Sequence, residues 1–294
     1  MRYLMCPPEH FRLEYAINPW MRVDVAVVDR RRAYEEWLRL RHVMESIADV
    51  EIIEPEAGLP DMVFAANGAF ALGRDVLIGR YRHQERRGEE ARVRAWFASR
   101  NYTIHELPEG VPFEGTGDAI LDRSGRWIWA GEGFRSDRRA HDVLARCFNM
   151  EVVSLHLVDE RYYHLDTCFA PLTGGYVMYY PAAFDAASRR AIEDRVPRER
   201  RIVVSDADAA AFACNVANVG RVVVAHALSA ELRERLEGLG FAVAITPVSE
   251  FLKAGGAVFC MMLRLEDEPI AAAGRSCKAW QRRHKDKRFR RAPA

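Results

Sequence analysis

The sequence predicts an α/β protein in which five similar units close into a ring. A strand, an amphipathic helix and a second strand recur five times along the 294 residues. Polar or reactive residues follow the second strands at 51, 48, 49 and 45 residue steps, at Asn67, Asp118, Asp166, Asn215 and Cys260. A period near 50 residues is typical of repeat architectures. Ring closure would bring these equivalent loops to one end of the axis, where they would share a pocket.

The helices are predicted from apolar residues at steps of three and four, as at Trp37, Leu40 and Met44. The five predicted helices span residues 30–47, 85–100, 136–148, 184–196 and 228–239. Asp29 and Ser136 stand where N-caps belong. Gly240 stands where the fifth helix should end.

Short β-branched runs predict a strand before each helix, at 23–28, 75–79, 127–130, 176–180 and 221–225. Second strands follow at 50–53, 102–107, 151–155, 201–204 and 241–245, and a third begins after the loop, as at 68–72 and 168–172. This alternation also suits a parallel doubly wound sheet. However, Gly115-Thr116-Gly117 leads into a strand at 119–121 rather than a helix, which disfavours a dinucleotide site.

The composition is that of a soluble globular protein, with 49% hydrophobic and 29% charged residues. No apolar run approaches the roughly 20 residues that cross a bilayer, and no signal-peptide core is recognisable. We therefore expect a cytoplasmic protein without membrane contact. The six cysteines show no CxxC or His-x-Cys spacing, so neither a zinc site nor structural disulfides are expected.

Residues 1–266 are expected to form one closed domain, and 267–294 a basic, flexible tail. Nine Lys/Arg and two acids lie between 268 and 294, so this segment carries +7 within a chain of net charge +1. The pattern favours a solvated tail over nucleic-acid contact, although Trp280 and Phe289 could stack on bases.

Cys260 is the candidate nucleophile. It lies in FLKAGGAVFCMML, where two glycines allow close approach of the backbone to a ligand. Most buried cysteines are small hydrophobic residues, but the glycine pair and the repeat position favour a reactive thiol. His164 and Asp166 lie two apart in RYYHLDTCF, so on a strand they would face the same side. A histidine there could exchange protons near neutral pH, although a hydrogen-bonded core histidine is an equal alternative.

Acids and amides form the second group of candidates. Glu114 and Asp118 flank the Gly-Thr-Gly bend of FEGTGDAIL, which could equally be a surface turn. If they meet Asp166, three carboxylates need a cation, and a planar guanidinium with five donors fits that need. Asn67, in VFAANG, would add an uncharged hydrogen bond or simply form an Asn-Gly turn. Arg86 and Arg135 are candidates for a substrate carboxylate, and Asn18, in INPWM, is a further polar candidate.

With these residues in place, the chain resembles the guanidino-group-modifying enzymes of the pentein superfamily. These include arginine deiminases, dimethylarginine dimethylaminohydrolases and amidinotransferases, and the motifs FEGTGD, HLDTCF and GGAVFC occur here in the family's order. The resemblance implies a five-bladed α/β propeller with pseudo-fivefold repeats around a central site. It implies catalysis by Cys260, His164 and Glu114. The guanidinium would be held by Asp118 and Asp166, and no metal or organic cofactor would be required.

Within the superfamily, INPWM, VFAANG and FEGTGD most resemble the arginine dihydrolases. Asp166 fits deiminases and amidinotransferases better than dimethylarginine hydrolases, whereas Asn67 stands where deiminases have an acid. The implied reaction converts arginine to ornithine, carbon dioxide and ammonia through an amidino-cysteine intermediate. A single-step deiminase or dimethylarginine dimethylaminohydrolase, and a non-catalytic pentein binding protein, remain the alternatives. The expected partner is a small guanidino substrate, and a homo-oligomer is compatible with the sequence.

Overall fold

The structure is a computed structural model that describes residues 1–266; the predicted basic tail at 267–294 lies outside the described residues. The described helices are α1 (Arg30–Glu45), α2 (Gly88–Ala98), α3 (Gly115–Asp118), α4 (Arg138–Phe148), α5 (Ala186–Arg195), α6 (Asp206–Ala210), α7 (Ala230–Gly238) and α8 (Ser249–Leu252). None of them is both long enough and apolar enough to cross a membrane.

The strands are short and alternate with the helices. They are β1 (Arg2–Met5), β2 (Asp49–Ile52), β3 (Ala69–Leu72), β4 (Asp75–Ile78), β5 (Thr103–His105), β6 (Ala119–Leu121), β7 (Trp127–Glu132), β8 (Glu151–His156), β9 (Phe169–Leu172), β10 (Tyr176–Tyr179), β11 (Arg201–Val203), β12 (Ala217–Val219), β13 (Val222–Ala225), β14 (Ala242–Ile245) and β15 (Met262–Glu266). Single 3-10 turns lie between several of them, and three of these turns, Ala65–Gly68, Gln84–Arg86 and Leu165–Thr167, carry predicted site residues.

The strands form mixed sheets with one recurring triplet. In β6-β7-β8, β9-β10-β11 and β12-β13-β14, the first pair is antiparallel and the second is parallel. The six-stranded sheet, β2-β1-β15-β3-β4-β5, contains two more such triplets. They are joined by a parallel contact between β15 and β3. A helix connects the two parallel strands in each triplet, because parallel strands need a crossover connection and cannot be joined by a tight hairpin.

The predicted strand at 23–28 is wrong. Val23, Val25 and Val27 are 40, 65 and 82% exposed, and the amides of Val25 and Ala26 both bond the carbonyl of Arg22 in a turn. The strand of the first unit is instead β1, which pairs with β2 on one side and β15 on the other. The alternating valines pair with no strand and are exposed, so their alternation does not mark a buried face of a sheet.

The predicted helix ends are confirmed at Asp29 and Gly240 and wrong at Ser136. The Asp29 side chain caps α1 by accepting from the amide of Arg32, and Gly240 follows α7 with a φ of +85°. The cap of α4 is Asp137, whose side chain accepts from the amide of Arg139. Ser136 points inward instead and contributes its hydroxyl to the site.

Both faces of the central strands are buried. On β1, Tyr3 and Met5 pack in one cluster with Trp37 of α1, whereas Leu4 packs in another with Trp96 of α2. The strands are therefore apolar on both sides, which is typical of sheets covered by helices. The loops that leave these strands carry the polar residues described next.

Candidate active site

Loops from different units bring the predicted residues into one buried cluster. A small cavity among them is lined by Asn18, Asn67, Arg86, Arg135 and Cys260. Its other walls come from residues 17–21, here called the N-terminal strap, from the 61–64 turn, and from residues near Tyr163 and Gly256. These walls comprise Ile17, Met21, Asp61, Phe64, Tyr163, Ala254 and Gly256. His164, Glu114, Asp118 and Asp166 lie behind this lining, each at most 1% exposed.

The Cys260 thiol lies between an acid and an amide. Its Sγ donates to Asp166 Oδ2 at 3.2 Å and accepts from Asn215 Nδ2 at 3.1 Å. Burial raises the pKa of Cys260 well above its ordinary value, and the Asp166 carboxylate raises it further. The resting group is therefore a thiol, and a cation bound nearby would favour its ionisation.

Asp166 retains one oxygen without a hydrogen bond. Burial raises the pKa of Asp166 to about 7, although hydrogen bonds with Cys260 and Asn215 partly oppose that rise. Its Oδ1 is buried and has no partner among the described residues. A buried, unpaired carboxylate oxygen needs a donor, and a guanidinium N–H beside the sulfur would supply one.

His164 is held by a hydrogen bond to a buried carboxylate. Its Nε2 lies 2.7 Å from Glu114 Oε2, and the same oxygen accepts from Arg135 Nη1 at 3.1 Å. Burial alone would raise the pKa of Glu114, but Arg135 and His164 together hold it well below its usual range. Glu114 is therefore a carboxylate, and it orients the imidazole.

Asp118 joins two site loops. Its Oδ2 accepts from the Ser136 hydroxyl at 2.6 Å and its Oδ1 accepts from the amide of Leu165 at 3.0 Å. Burial raises the pKa of Asp118 to about 6. Both oxygens are thus engaged with the protein, one of them with the turn that follows His164.

The two predicted carboxylate-binding arginines have different surroundings. Arg135 bonds Glu114 and the carbonyl of Ile17, and its guanidinium lies 4.6 Å from the ring centre of Tyr163. Arg86 is bound through two nitrogens by Glu89, both at 2.8 Å, and through a third by Asn67 Oδ1 at 2.7 Å. The charge of Arg86 is therefore already neutralised by Glu89. Arg135 is paired less completely, through one hydrogen bond to Glu114.

The two predicted asparagines differ in depth. Asn67 uses its Oδ1 for Arg86, so its Nδ2 faces His164 Nδ1 at 3.5 Å. Asn18 is half-buried in the N-terminal strap, where it donates to the carbonyl of Ala254 and accepts from the amide of Trp20. Asn18 thus fastens the strap to the loop before Cys260.

The prediction that His164 and Asp166 lie on a strand is wrong. His164 precedes a single 3-10 turn, Leu165–Thr167, so the two side chains contact different partners. The imidazole meets Glu114, and the carboxylate meets the Cys260 sulfur. The turn serves the same purpose as the predicted strand, since both groups still face the cluster.

Three site residues were not predicted as such. Asn215 bonds the Cys260 sulfur, Tyr163 donates to the carbonyl of Gly255, and Ser136 bonds Asp118. The repeat spacing was a signal for Asn215, because it occupies the same step as Asp166 and Cys260. Nothing local marks Tyr163 or Ser136, whose partners lie 92 and 18 residues away. Within residues 1–266, no group of three or more His, Cys, Asp or Glu side chains is arranged to hold a metal ion.

Known proteins resemble this chain over almost all of its described length. A family model described as N,N dimethylarginine dimethylhydrolase, eukaryotic, matches residues 22–266. The bifunctional arginine dihydrolase/ornithine cyclodeaminase ArgZ of Synechocystis sp. is 50% identical over 270 residues, 92% of this chain but only 38% of that protein. The N(G),N(G)-dimethylarginine dimethylaminohydrolase of Mycobacterium tuberculosis is 39% identical, over 90% of this chain and 85% of that one. The chain thus spans less than two fifths of the length of its bifunctional relative.

Solved structures agree with these similarities. The N-terminal domain of ArgZ, described as an arginine dihydrolase and solved as a cysteine-to-serine variant bound to substrate, superposes with a TM-score of 0.89. It is 49% identical, and the match covers 92% of this chain and 99% of that domain. An asparagine-to-serine variant of the same domain is described as covalently bonded to a reaction intermediate.

Proposed function

Because the chain belongs to the N,N-dimethylarginine dimethylhydrolase family, we propose that it hydrolyses the guanidino group of arginine through a covalent cysteine intermediate. The products are ornithine, carbon dioxide and two ammonia molecules, which accounts for arginine and two waters. The observation that carries the proposal is the Cys260 thiol, hydrogen-bonded to Asp166 beside a cavity that Arg135 also lines. The sequence similarity to an arginine dihydrolase supports the choice of arginine.

Each cycle breaks one C–N bond. The Cys260 thiol transfers its proton to His164, and the resulting thiolate attacks the guanidinium carbon while Asp166 and Asp118, with Glu114, stabilise the cation. The C–N bond to one terminal nitrogen breaks, and His164 gives that nitrogen a proton, so ammonia leaves. His164 then removes a proton from water, which attacks the thioether carbon and releases citrulline with the thiolate regenerated. No metal or organic cofactor takes part in this proposal.

The second cycle repeats the attack on the ureido carbon of retained citrulline. This step is supported by the neutral Asn67, which places an amide rather than a second carboxylate beside His164. A neutral ureido group gains nothing from an added negative charge, whereas an amide N–H can donate to it or to the imidazole. In the second cycle the second ammonia leaves, and water then releases the ureido carbon as the carbamate of ornithine. This carbamate loses carbon dioxide after release, which breaks the last C–N bond and gives ornithine.

Substrate binding away from the reacting carbon falls to the arginines and Asn18. Arg135 is the preferred partner of the α-carboxylate, because it lines the cavity and its second nitrogen bonds only a backbone carbonyl, that of Ile17. Arg86 would share its charge between that carboxylate and Glu89. Asn18 would close the strap over the bound amino acid.

The finer architecture is also part of the proposal. The five triplets of strands support a five-bladed α/β propeller with pseudo-fivefold symmetry about the site, formed by residues 1–266. A cytoplasmic setting is supported by the free Cys6, Cys147, Cys168, Cys214 and Cys260, which a reducing compartment keeps reduced.

Product analysis tests the proposal. Purified protein is incubated separately with arginine and with dimethylarginine, and amino-acid products and ammonia are quantified. Ornithine with two ammonia per arginine is expected; citrulline with one ammonia indicates a deiminase. Citrulline and dimethylamine from dimethylarginine indicate the activity of the M. tuberculosis relative.

Cys260→Ser provides the matched control, because serine keeps the size and hydrogen bonds of the site but is a far weaker nucleophile. It should retain the wild-type melting temperature and lose turnover by at least about 10³-fold. Turnover near the wild-type rate would contradict the role of the thiol. If the wild-type protein only binds these compounds without converting them, it is a binding protein.

A further inference from the structure

The side chain of Asn215 makes four hydrogen bonds around the nucleophile from a fully buried position. Its Oδ1 accepts from the amides of Phe259 and Cys260, at 2.9 and 3.1 Å. Its Nδ2 donates to the carbonyl of Asp166 and to the sulfur of Cys260, both at 3.1 Å. Two N–H groups face one end of the amide and a carbonyl faces the other, so only one orientation of the amide satisfies them.

The turn that presents Asn215 is itself tightly held. Phe212 adopts a φ of +57°, a conformation that bulky side chains rarely take, and its carbonyl accepts from the amide of Asn215 at 2.9 Å. The ring of Phe212 is buried and lies 4.8 Å from that of Trp20 in the N-terminal strap. Strained backbone of this kind persists only where the surrounding structure over-determines it.

We propose that Asn215 is the positioning residue of the nucleophile: it fixes the Cys260 backbone and donates a hydrogen bond that stabilises the thiolate. The inference rests on the proposed role of Cys260. In the resting state the thiol S–H donates a hydrogen bond to Asp166, and a sulfur lone pair accepts one from the Asn215 amide. When the proton leaves, the amide N–H remains as a donor to the negative sulfur.

The site has a specific need for this donor. Burial and the Asp166 carboxylate both disfavour the thiolate and raise the pKa of Cys260, whereas the amide of Ala257 and the side chain of Asn215 oppose that rise. A neutral amide lowers the energy of the thiolate without adding a permanent cation that would repel a guanidinium. Removal of one such donor should raise the pKa of the Cys260 thiol and lower the fraction of thiolate at a given pH.

Asn215→Asp and Asn215→Ala separate the two tasks of the side chain. Aspartate keeps an oxygen for the two backbone amides but removes the donor to sulfur, and alanine removes both. The rate of carboxamidomethylation of Cys260 by iodoacetamide is measured from pH 7 to 10 by mass spectrometry of its peptide. For both variants we expect a rate at least about tenfold below wild type at pH 8.

Kinetics with arginine give a second readout. The Asn215→Asp variant should lose at least about tenfold in kcat with KM changed less than about threefold, because Asn215 contacts the nucleophile but does not itself line the cavity. If wild type does not turn over arginine, the proposed function fails, but the alkylation rates still test the role of Asn215.

Asn218→Asp is the matched control. Asn218 is another buried asparagine of the same unit, and its oxygen accepts from Thr173 while its nitrogen donates to the carbonyls of Gly220 and Val222. Its alkylation rate should stay within twofold of wild type. An Asn215→Asp rate within twofold of wild type overturns the proposal. If that variant does not fold, an Asn215→Ala rate equal to or above wild type does so.

Discussion

Three buried carboxyl groups at the site differ in how burial is compensated. Glu114 has Arg135 and His164 beside it, and its pKa stays well below the ordinary value. Asp118 and Asp166 have only neutral partners among their hydrogen bonds, and burial raises their pKa values to about 6 and 7. At neutral pH the protein therefore holds Asp166 close to its titration point, where a bound cation would draw it fully into the carboxylate form.

The pKa of Asp166 predicts a pH-dependent gain in stability for Asp166→Asn. Because the folded-state pKa is raised above the unfolded value near 3.9, the folded protein binds more protons between about pH 4 and 7. The stability contribution of Asp166 therefore falls through that window and is lowest above pH 7. Asparagine removes the titration, so the melting temperature should rise by about 5 °C or more at pH 8 and little at pH 5.

The comparison is between melting curves of wild type and variant at the two pH values. Asp24→Asn, at an exposed aspartate, serves as the control and should give the same small shift at both. Equal shifts for Asp166→Asn at pH 5 and pH 8 would show that burial does not raise its pKa. Glu114 also contributes to stability, and this contribution is lost as pH falls through its lowered folded-state pKa. Both proteins contain Glu114, so its contribution cancels in the difference between their melting temperatures.

Asn67→Asp tests the second cycle. A carboxylate 3.5 Å from His164 Nδ1 would favour the protonated imidazole and accept from it. Such a carboxylate would hold the guanidinium cation better than the neutral ureido group, to which it cannot donate a hydrogen bond, so citrulline would leave before a second cycle. We expect citrulline to accumulate and the yield of ammonia per arginine to fall from two towards one. Full conversion to ornithine by this variant would contradict the role of the neutral amide.

At the scale of elements, the one-turn helix α3 is built around a close approach to Asn67. A Cβ added at Gly117 would overlap Asn67 Nδ2 and lie 3.4 Å from the ring carbon Cγ of His164. Both neighbours are buried and hydrogen-bonded, so neither can move freely. The Gly-Thr-Gly sequence therefore serves the site directly, by letting Asn67 and His164 share one side of the helix.

Gly117→Ala should therefore lower kcat at least tenfold and destabilise the protein by about 1–3 kcal/mol. Steady-state kinetics and urea unfolding measure the two effects. Gly238→Ala, within α7, is the control because an added Cβ there meets nothing within 4 Å. That variant should be as active as wild type and equally or more stable. A Gly117→Ala protein with wild-type activity would mean that the close approach has no functional importance.

The elements that the sequence predicted well are those whose signal is local. All five long helices occur within a few residues of their predicted bounds, because apolar spacing decides which face is buried. The strand at 23–28 failed because alternating valines report a preference for extended structure, not the presence of a partner strand. β1 owes its place to pairing with β15, whose residues lie about 260 positions away along the chain. No local pattern specifies such a partner.

At the scale of the whole molecule, the repeat predicted which residues would meet, but not how they would pair. The spacing brought Asn67, Asp166, Asn215 and Cys260 to equivalent loops, and the described contacts join all four to the site. The spacing could not show that Glu89 already neutralises Arg86, because that pair depends on how α2 packs behind the cavity. Pairing of buried charges is a property of the packed structure, because an unpaired charge that has lost its contact with water is costly.

The position of β15 predicts where the chain can be shortened. β15 lies between β1 and β3, so it joins the first and last parts of the described chain in one sheet and follows directly after Cys260. A protein that ends at residue 266 should keep the wild-type fold and a kcat/KM within about twofold, since the proposed catalytic domain is then intact. A protein that ends at residue 261 leaves two strand edges unpaired and exposes the apolar faces that Leu263 and Leu265 cover, and it should not fold. Circular dichroism and arginine turnover of the two proteins measure this difference; loss of folding in the longer one would place part of the domain within residues 267–294.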